Sequence, residues 1–141
     1  MYGDATAVRA LAARLRTQAD EIRVEAAQLE DLAAHTPWTG VAADAMRASV
    51  RVQASDLRVC ADLHDDAAEA LERHAREVDR AKELIGAAEH RILRLVDVAA
   101  GRVQGLVSHA LPDRLERWAV TFAAPPRGSL EWLDVHVPDL W

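Results

Sequence analysis

Cys60 and His64 stand four residues apart, with Asp65, Asp66 and Glu69 close behind them. On a helix, that spacing can bring two metal ligands onto one face. Both residues also fall on an apolar stripe of helical period. This favours a plainer role, with Cys60 a small core residue and His64 a seam or boundary residue. A metal site would need a second ligand pair of matching spacing, and the sequence supplies none, so no metal or other cofactor is expected. Asp65, Asp66, Glu69 and Glu72 read as a solvated acidic face. His74 with Glu77, His90 with Arg94, and His109 have no nucleophile beside them. Ser49, Ser55, Ser108 and Ser129 lie in no recognisable triad context. Gly101-x-x-x-Gly105 lacks the strand and the Lys of a phosphate loop. Enzyme activity is therefore not expected, and a protein that works by contact is.

The elements that position these residues are helices. Val8, Leu15, Ile22 and Leu29 recur every seven residues, with Leu11, Ala19, Ala26 and Ala33 at the second seam position. A second stripe runs through Met46, Val50, Gln53, Leu57, Cys60, His64, Ala67, Leu71, Ala75 and Val78. Such spacing marks amphipathic helices with a narrow apolar face. The first is expected from Asp4, a good N-cap, to about His35. The second begins at Val41 and meets no Gly or Pro before Gly86. Between them Thr36-Pro37-Trp38-Thr39-Gly40 breaks the period: Pro37 disfavours helix and Gly40 permits a tight turn. So short a connection predicts an antiparallel hairpin, with Trp38 at its tip.

Beyond the hairpin, an antiparallel match to the first helix is exhausted near residues 73–76. The stripe continues through Ile85, Ile92, Val96, Ala99, Val103, Leu106 and Ala110. Residues 91–107, which also carry Leu93, Leu95, Val98 and Val107, are apolar on more than one side and read as a third helix. Gly86 is a place to kink, and Gly101 and Gly105 could permit close approach of another helix. Pro112 suits a first helical turn; Leu115, Trp118, Ala119 and Phe122 then make one face of a short helix. Pro125-Pro126-Arg127-Gly128 is a breaker. The tail carries Trp132, Leu133, Val135, Val137, Leu140 and Trp141, partly in strand-like alternation, and is expected to dock on the bundle or on a partner. The expected organisation is all-α: a hairpin over 4–85, a helical extension over 86–124, and a linker and aromatic tail over 125–141.

Composition narrows the function classes. The chain of 141 residues has a net charge of −6 and a single lysine, Lys82. Acids and bases alternate along the helices, which argues against a nucleic-acid surface. Arg94, Asp97 and Arg102 interrupt the most apolar stretch, so no membrane span is expected. No basic-then-apolar leader opens the sequence, and one cysteine cannot form an internal disulfide.

The turn reads Trp38-Thr39-Gly40-Val41-Ala42-Ala43-Asp44-Ala45. With a heptad helix on either side, it resembles the W-x-G-x-A-A-x-A pattern of the WxG (ESAT-like) family, small substrates of the type VII, or ESX, secretion system. The resemblance covers residues 4 to about 80, with Pro37, Trp38 and Gly40 as its turn motif. It implies pairing with another WxG-type chain, as homo- or heterodimer, into a four-helix bundle, and presentation of the tip to a secretion ATPase. It also implies leaderless export to the cell surface or medium. Trp38 and Gly40 at the tip, with Ile92, Val96, Val103, Trp118, Phe122 and Trp132 beyond it, are the expected partner-binding residues. One departure qualifies this. The family's export signal is a Tyr followed four residues later by Asp or Glu, whereas Tyr2 is the only Tyr here and residue 6 is Thr. Either a paired protein then carries the signal, or this chain is an accessory and not itself a substrate. The alternatives are a cytoplasmic helical chaperone that grips a larger type VII client through residues 85–141, or a structural coiled coil with no secretion role.

Overall fold

The computed structural model describes residues 3–105 and 113–138, and contains three α-helices, a 3-10 turn and, among the described residues, no strand. Helix α1 spans Ala5–His35, α2 Val41–Gly105 and α3 Arg114–Thr121; the 3-10 turn is Leu130–Leu133. The expectations for Tyr2, Leu106, Val107, Ser108, His109, Ala110, Pro112, Leu140 and Trp141 lie outside the described residues. The chain divides into two compact units, Asp4–Arg76 and Met1–Gly3 with Glu77–Trp141.

The first unit is an antiparallel hairpin. Asp4 caps α1 by accepting from the Thr6 and Ala7 amides at 2.9 and 3.2 Å, which satisfies two of the four donors orphaned at a helix start. Alanine makes the seam. Ala5, Ala12, Ala19, Ala26 and Ala33 are buried in α1, and Ala43, Ala54, Ala61, Ala68 and Ala75 in α2. The larger Val8, Leu15, Ile22 and Leu29, with Val50, Leu57 and Leu71, are only half-buried beside it. A methyl side chain lets two backbones approach more closely than leucine would, and alanine is also the strongest helix former.

This corrects the expected seam in detail. Leu11 is 41% exposed and its place is taken by Ala12. Gln53, Cys60 and Ala67 are exposed, one residue before the buried Ala54, Ala61 and Ala68. Cys60 is thus a surface residue, not a core residue.

Three of the interhelix ion pairs share one register: Arg16 with Glu72, Arg23 with Asp65 at 2.7 Å, and Arg58 with Glu30 at 2.6 Å. In each pair the two residue numbers sum to 88, as antiparallel helices in one unslipped register require.

In the second unit, α2 carries straight on through Gly86, so residues 91–105 are its C-terminal part and not a separate helix. A glycine costs a helix only about 1 kcal/mol, and the buried Ile85 and Ile92 on either side outweigh that. A Cβ at Gly101 would meet nothing within 4 Å, so among the described residues no other helix makes a close approach there. Helix α3 begins with a capping box, in which Asp113 accepts from the Glu116 amide at 2.8 Å and Glu116 accepts from the Asp113 amide at 3.0 Å. Its Leu115, Trp118 and Phe122 pack, with Val135, on a core of Ile85, Ile92, Trp132 and Val137. The tail is therefore docked within its own unit, as a 3-10 turn followed by irregular chain.

The alanine seam yields a direct test. Ala61→Leu should lower hairpin stability by about 1–3 kcal/mol through overpacking, whereas the exposed Val59→Ala should change it by about 0.5 kcal/mol or less. Urea denaturation followed by circular dichroism separates the two; equal effects would mean that the helices do not meet at the alanines.

Candidate functional site: the hairpin tip and its flanks

The tip is built by one side chain that sequence reasoning passed over. Arg47, on the second turn of α2, donates from Nε to the Ala33 carbonyl at 3.1 Å and from Nη2 to the Thr36 and Trp38 carbonyls at 3.1 and 2.8 Å. It thus serves acceptors left over at the end of α1, and a planar guanidinium suits such a forked arrangement. Its only sequence signal is position: Arg47 falls one heptad before Ala54, where the seam would otherwise hold alanine. Thr36 adds a hydroxyl bond to the Leu32 carbonyl at 2.7 Å, and the Trp38 amide donates to the Thr36 carbonyl at 2.7 Å. Gly40 has φ 102°, backbone that other residues enter only under strain. Its carbonyl accepts from the Asp44 amide at 3.0 Å and so opens α2. The turn backbone is tightly held while the Trp38 side chain remains 48% exposed. The half-exposed indole thus stands on a turn whose backbone is held by hydrogen bonds.

The hairpin's two flanks differ chemically. One carries the ion pairs, with Arg23 also reaching Asp62 at 2.7 Å. Hydrogen bonding to Arg58 holds the Glu30 carboxyl below its ordinary value, and Arg16 does the same for Glu72. Opposite, the corresponding heptad positions are Leu11, Gln18, Glu25 and Leu32 in α1, and Met46, Gln53, Cys60, Ala67 and His74 in α2. Glu25 and His74 are their titratable side chains besides the Cys60 thiol. Met46 is half-buried and the others are exposed, Leu32 at 68%.

The remaining expected site residues lie in the second unit. Ile92 and Trp132 are buried in its core, with Val96, Trp118 and Phe122 against them; Phe122 sits 4.7 Å from Trp118 and 6.2 Å from Trp132 between ring centroids. Val103 is half-buried and borders a small groove with Val120 and Thr121. Ile92 and Trp132 therefore spend their apolar surface within the chain. At the candidate metal pair, His64 Nδ1 lies 2.8 Å from the Cys60 carbonyl and 3.9 Å from Cys60 Sγ. Among the described residues no group of three or more His, Cys, Asp or Glu side chains is placed to hold a metal ion. No helix among them is long and apolar enough to cross a membrane.

The flank pairs give the hairpin a pH dependence. Glu30 and Glu72 have lowered pKa values when folded, so the folded hairpin binds fewer protons than the unfolded chain over that range. Their contribution is present above the ordinary carboxylate range and is lost as pH falls through the folded values. Thermal melts should be flat from neutral pH to about 5 and fall steadily below about 4.5. The double variant Glu30→Gln/Glu72→Gln should melt lower at neutral pH and lose less on acidification. An unchanged acid slope would show that these pairs do not couple to folding.

A comparison with family models matches residues 1–92 to the family described as "Putative T7SS secretion signal domain". No curated protein and no solved structure matches the chain. The match takes in the whole hairpin, with its Trp38–Gly40 tip and both flanks, and ends within α2. With about two-thirds of its 141 residues matched, this chain belongs to the type VII secretion signal domain family.

Proposed function

We propose that this protein is a type VII secretion substrate or co-substrate that pairs with another helical hairpin of the WxG (ESAT-like) type. It works by binding, not by catalysis. Pairing uses the flank of the Asp4–Arg76 unit opposite the ion pairs, where Glu25 and His74 are the titratable side chains besides the Cys60 thiol, and Trp38 is offered at the tip to the secretion machinery. The single observation that carries this reading is the asymmetry of the hairpin. One flank has its charges consumed in interhelix pairs, while the other exposes Leu11, Leu32, Gln53 and Ala67 beside the half-buried Met46. A partner helix can cover the second flank without stripping water from an array of ions, and covering ions would be costly. Membership of the signal-domain family supplies the pathway. With no Tyr-x-x-x-Asp/Glu sequence in these residues, the partner is the element that supplies such a signal, and the pair leaves the cell by the type VII route.

Leu11→Glu/Leu32→Glu tests this on the full chain. Both side chains are exposed, so each change should cost the fold about 0.5 kcal/mol or less. Co-expressed with a small WxG-type helical protein from the same locus, the native chain should elute at the mass of the pair, and the variant at the mass of the single chain. In a host with a type VII system the variant should also stay inside the cell. Pairing that survives both charges would place the interface elsewhere.

A further inference from the structure

The tail beyond Pro125-Pro126 is organised largely by its own atoms. The Pro126 carbonyl accepts from the Ser129 amide at 3.1 Å and from the Trp132 indole Nε1 at 2.9 Å. The Ser129 hydroxyl accepts from the Glu131 amide at 3.2 Å, and its carbonyl from the Trp132 amide at 3.3 Å. Gly128, at φ 70°, supplies the left-handed residue of the turn. The result is a clip that carries its tryptophan pre-set, with the indole N–H already satisfied, so the ring can enter an apolar site without stranding a donor. Its polar contacts with α2 converge on Glu89, which accepts from the Gly128 amide at 3.3 Å and lies 4.0 Å from Arg127. The rest of the attachment is apolar. Trp132, only 2% exposed, and Val137 pack with Ile85 and Ile92, and Val135 joins them.

The face under the clip has a particular place in the sequence. Ile85, Ala88, Glu89 and Ile92 fall inside the residues matched to the secretion signal family, whereas every residue of the clip falls outside them. The clip therefore covers, in cis, the last apolar stretch of the signal domain.

We infer that residues 125–138 are a displaceable cover, and that the α2 face beneath them is a second recognition surface for a segment with a tryptophan anchor and a free backbone N–H for Glu89. This deepens the secretion reading and rests on it. A secretion partner that takes the face must first release the clip, so the covered chain is the resting form. A preformed clip, held through Trp132, Val135 and Val137 and by the one carboxylate of Glu89, can leave as a unit with little rearrangement of its own backbone. Occupancy by the clip lowers the apparent affinity for any competitor by the fraction of time the face is free.

The test uses the full chain alone, so its failure is distinguishable from a failure of pairing or export. A labelled peptide of residues 125–138 is titrated into three proteins: native, Trp132→Ala, and a chain with a protease site inserted between Ala123 and Ala124, cut before use. Binding to the variant and to the cut chain should be at least about tenfold tighter than to native protein, as expected if the clip is closed about nine-tenths of the time or more. Circular dichroism should show the helices retained in both. Equal binding to all three, or binding to none, overturns the inference. So does loss of helix on cutting, because the clip would then be part of the fold and not a cover.

Discussion

The hairpin depends on the distance between two helix axes. Alanine at one position of every heptad in α1, and from Ala54 to Ala75 in α2, allows that distance to be short, and several consequences follow. The flanking Val8, Leu15, Ile22 and Leu29 straddle the partner helix and stay half-buried. Arginine and carboxylate side chains on the outer edge reach across the gap and make direct pairs. The seam itself cannot choose a register, since an alanine repeat slipped by seven residues still meets alanine. The charges bias it. A slip of one heptad would set Arg23 against Arg58 in one direction, or Glu30 against Asp65 in the other, although it would also bring opposite charges together, such as Arg16 and Asp65 or Arg23 and Glu72. Exposed ion pairs contribute little stability one by one, and the observed register is the one in which Arg16, Arg23 and Glu30 all meet an opposite charge.

The buried series in α2 then changes. Ala54, Ala61, Ala68 and Ala75 give way to Val78, Ile85, Ile92 and Ala99, again seven apart but at the other seam position. Alanine methyls suit a close helix neighbour, and the larger Ile85 and Ile92 suit the irregular, aromatic neighbours they meet in the second unit. The change of residue size thus marks the change of packing partner, from a straight helix to a short helix and a tryptophan clip.

Much of this was legible in the sequence, because helical period, the Pro37–Gly40 break and the Asp4 cap act locally. The W-x-G turn pointed to type VII secretion, and the family match agrees at that level. What was not legible depended on the partner element. Leu11 and Ala12 are adjacent, and hydrophobicity alone selects the leucine; only the close approach of α2 makes the methyl group the better buried residue. The same bias assigned Cys60 to the core in place of Ala61. Arg47 looked like any surface arginine until the end of α1 was folded over it. Trp132 was recognised as too large to be left in water, but its receptor, Ile85 and Ile92, lies some forty residues earlier in the chain and no local pattern connects them.

If the tip is a contact surface on a hydrogen-bonded mount, Trp38 matters more to export than to stability, and melting temperature and export measured on the same Trp38→Ala protein decide this. A half-exposed ring contributes modestly to the fold, while a tryptophan at an interface can be worth about 2 kcal/mol or more in binding. The melting temperature should fall by no more than a few degrees and export should fall at least about tenfold. A loss of stability near the 3–5 kcal/mol of a truncated core aromatic, with export falling only in proportion to unfolded protein, would contradict it.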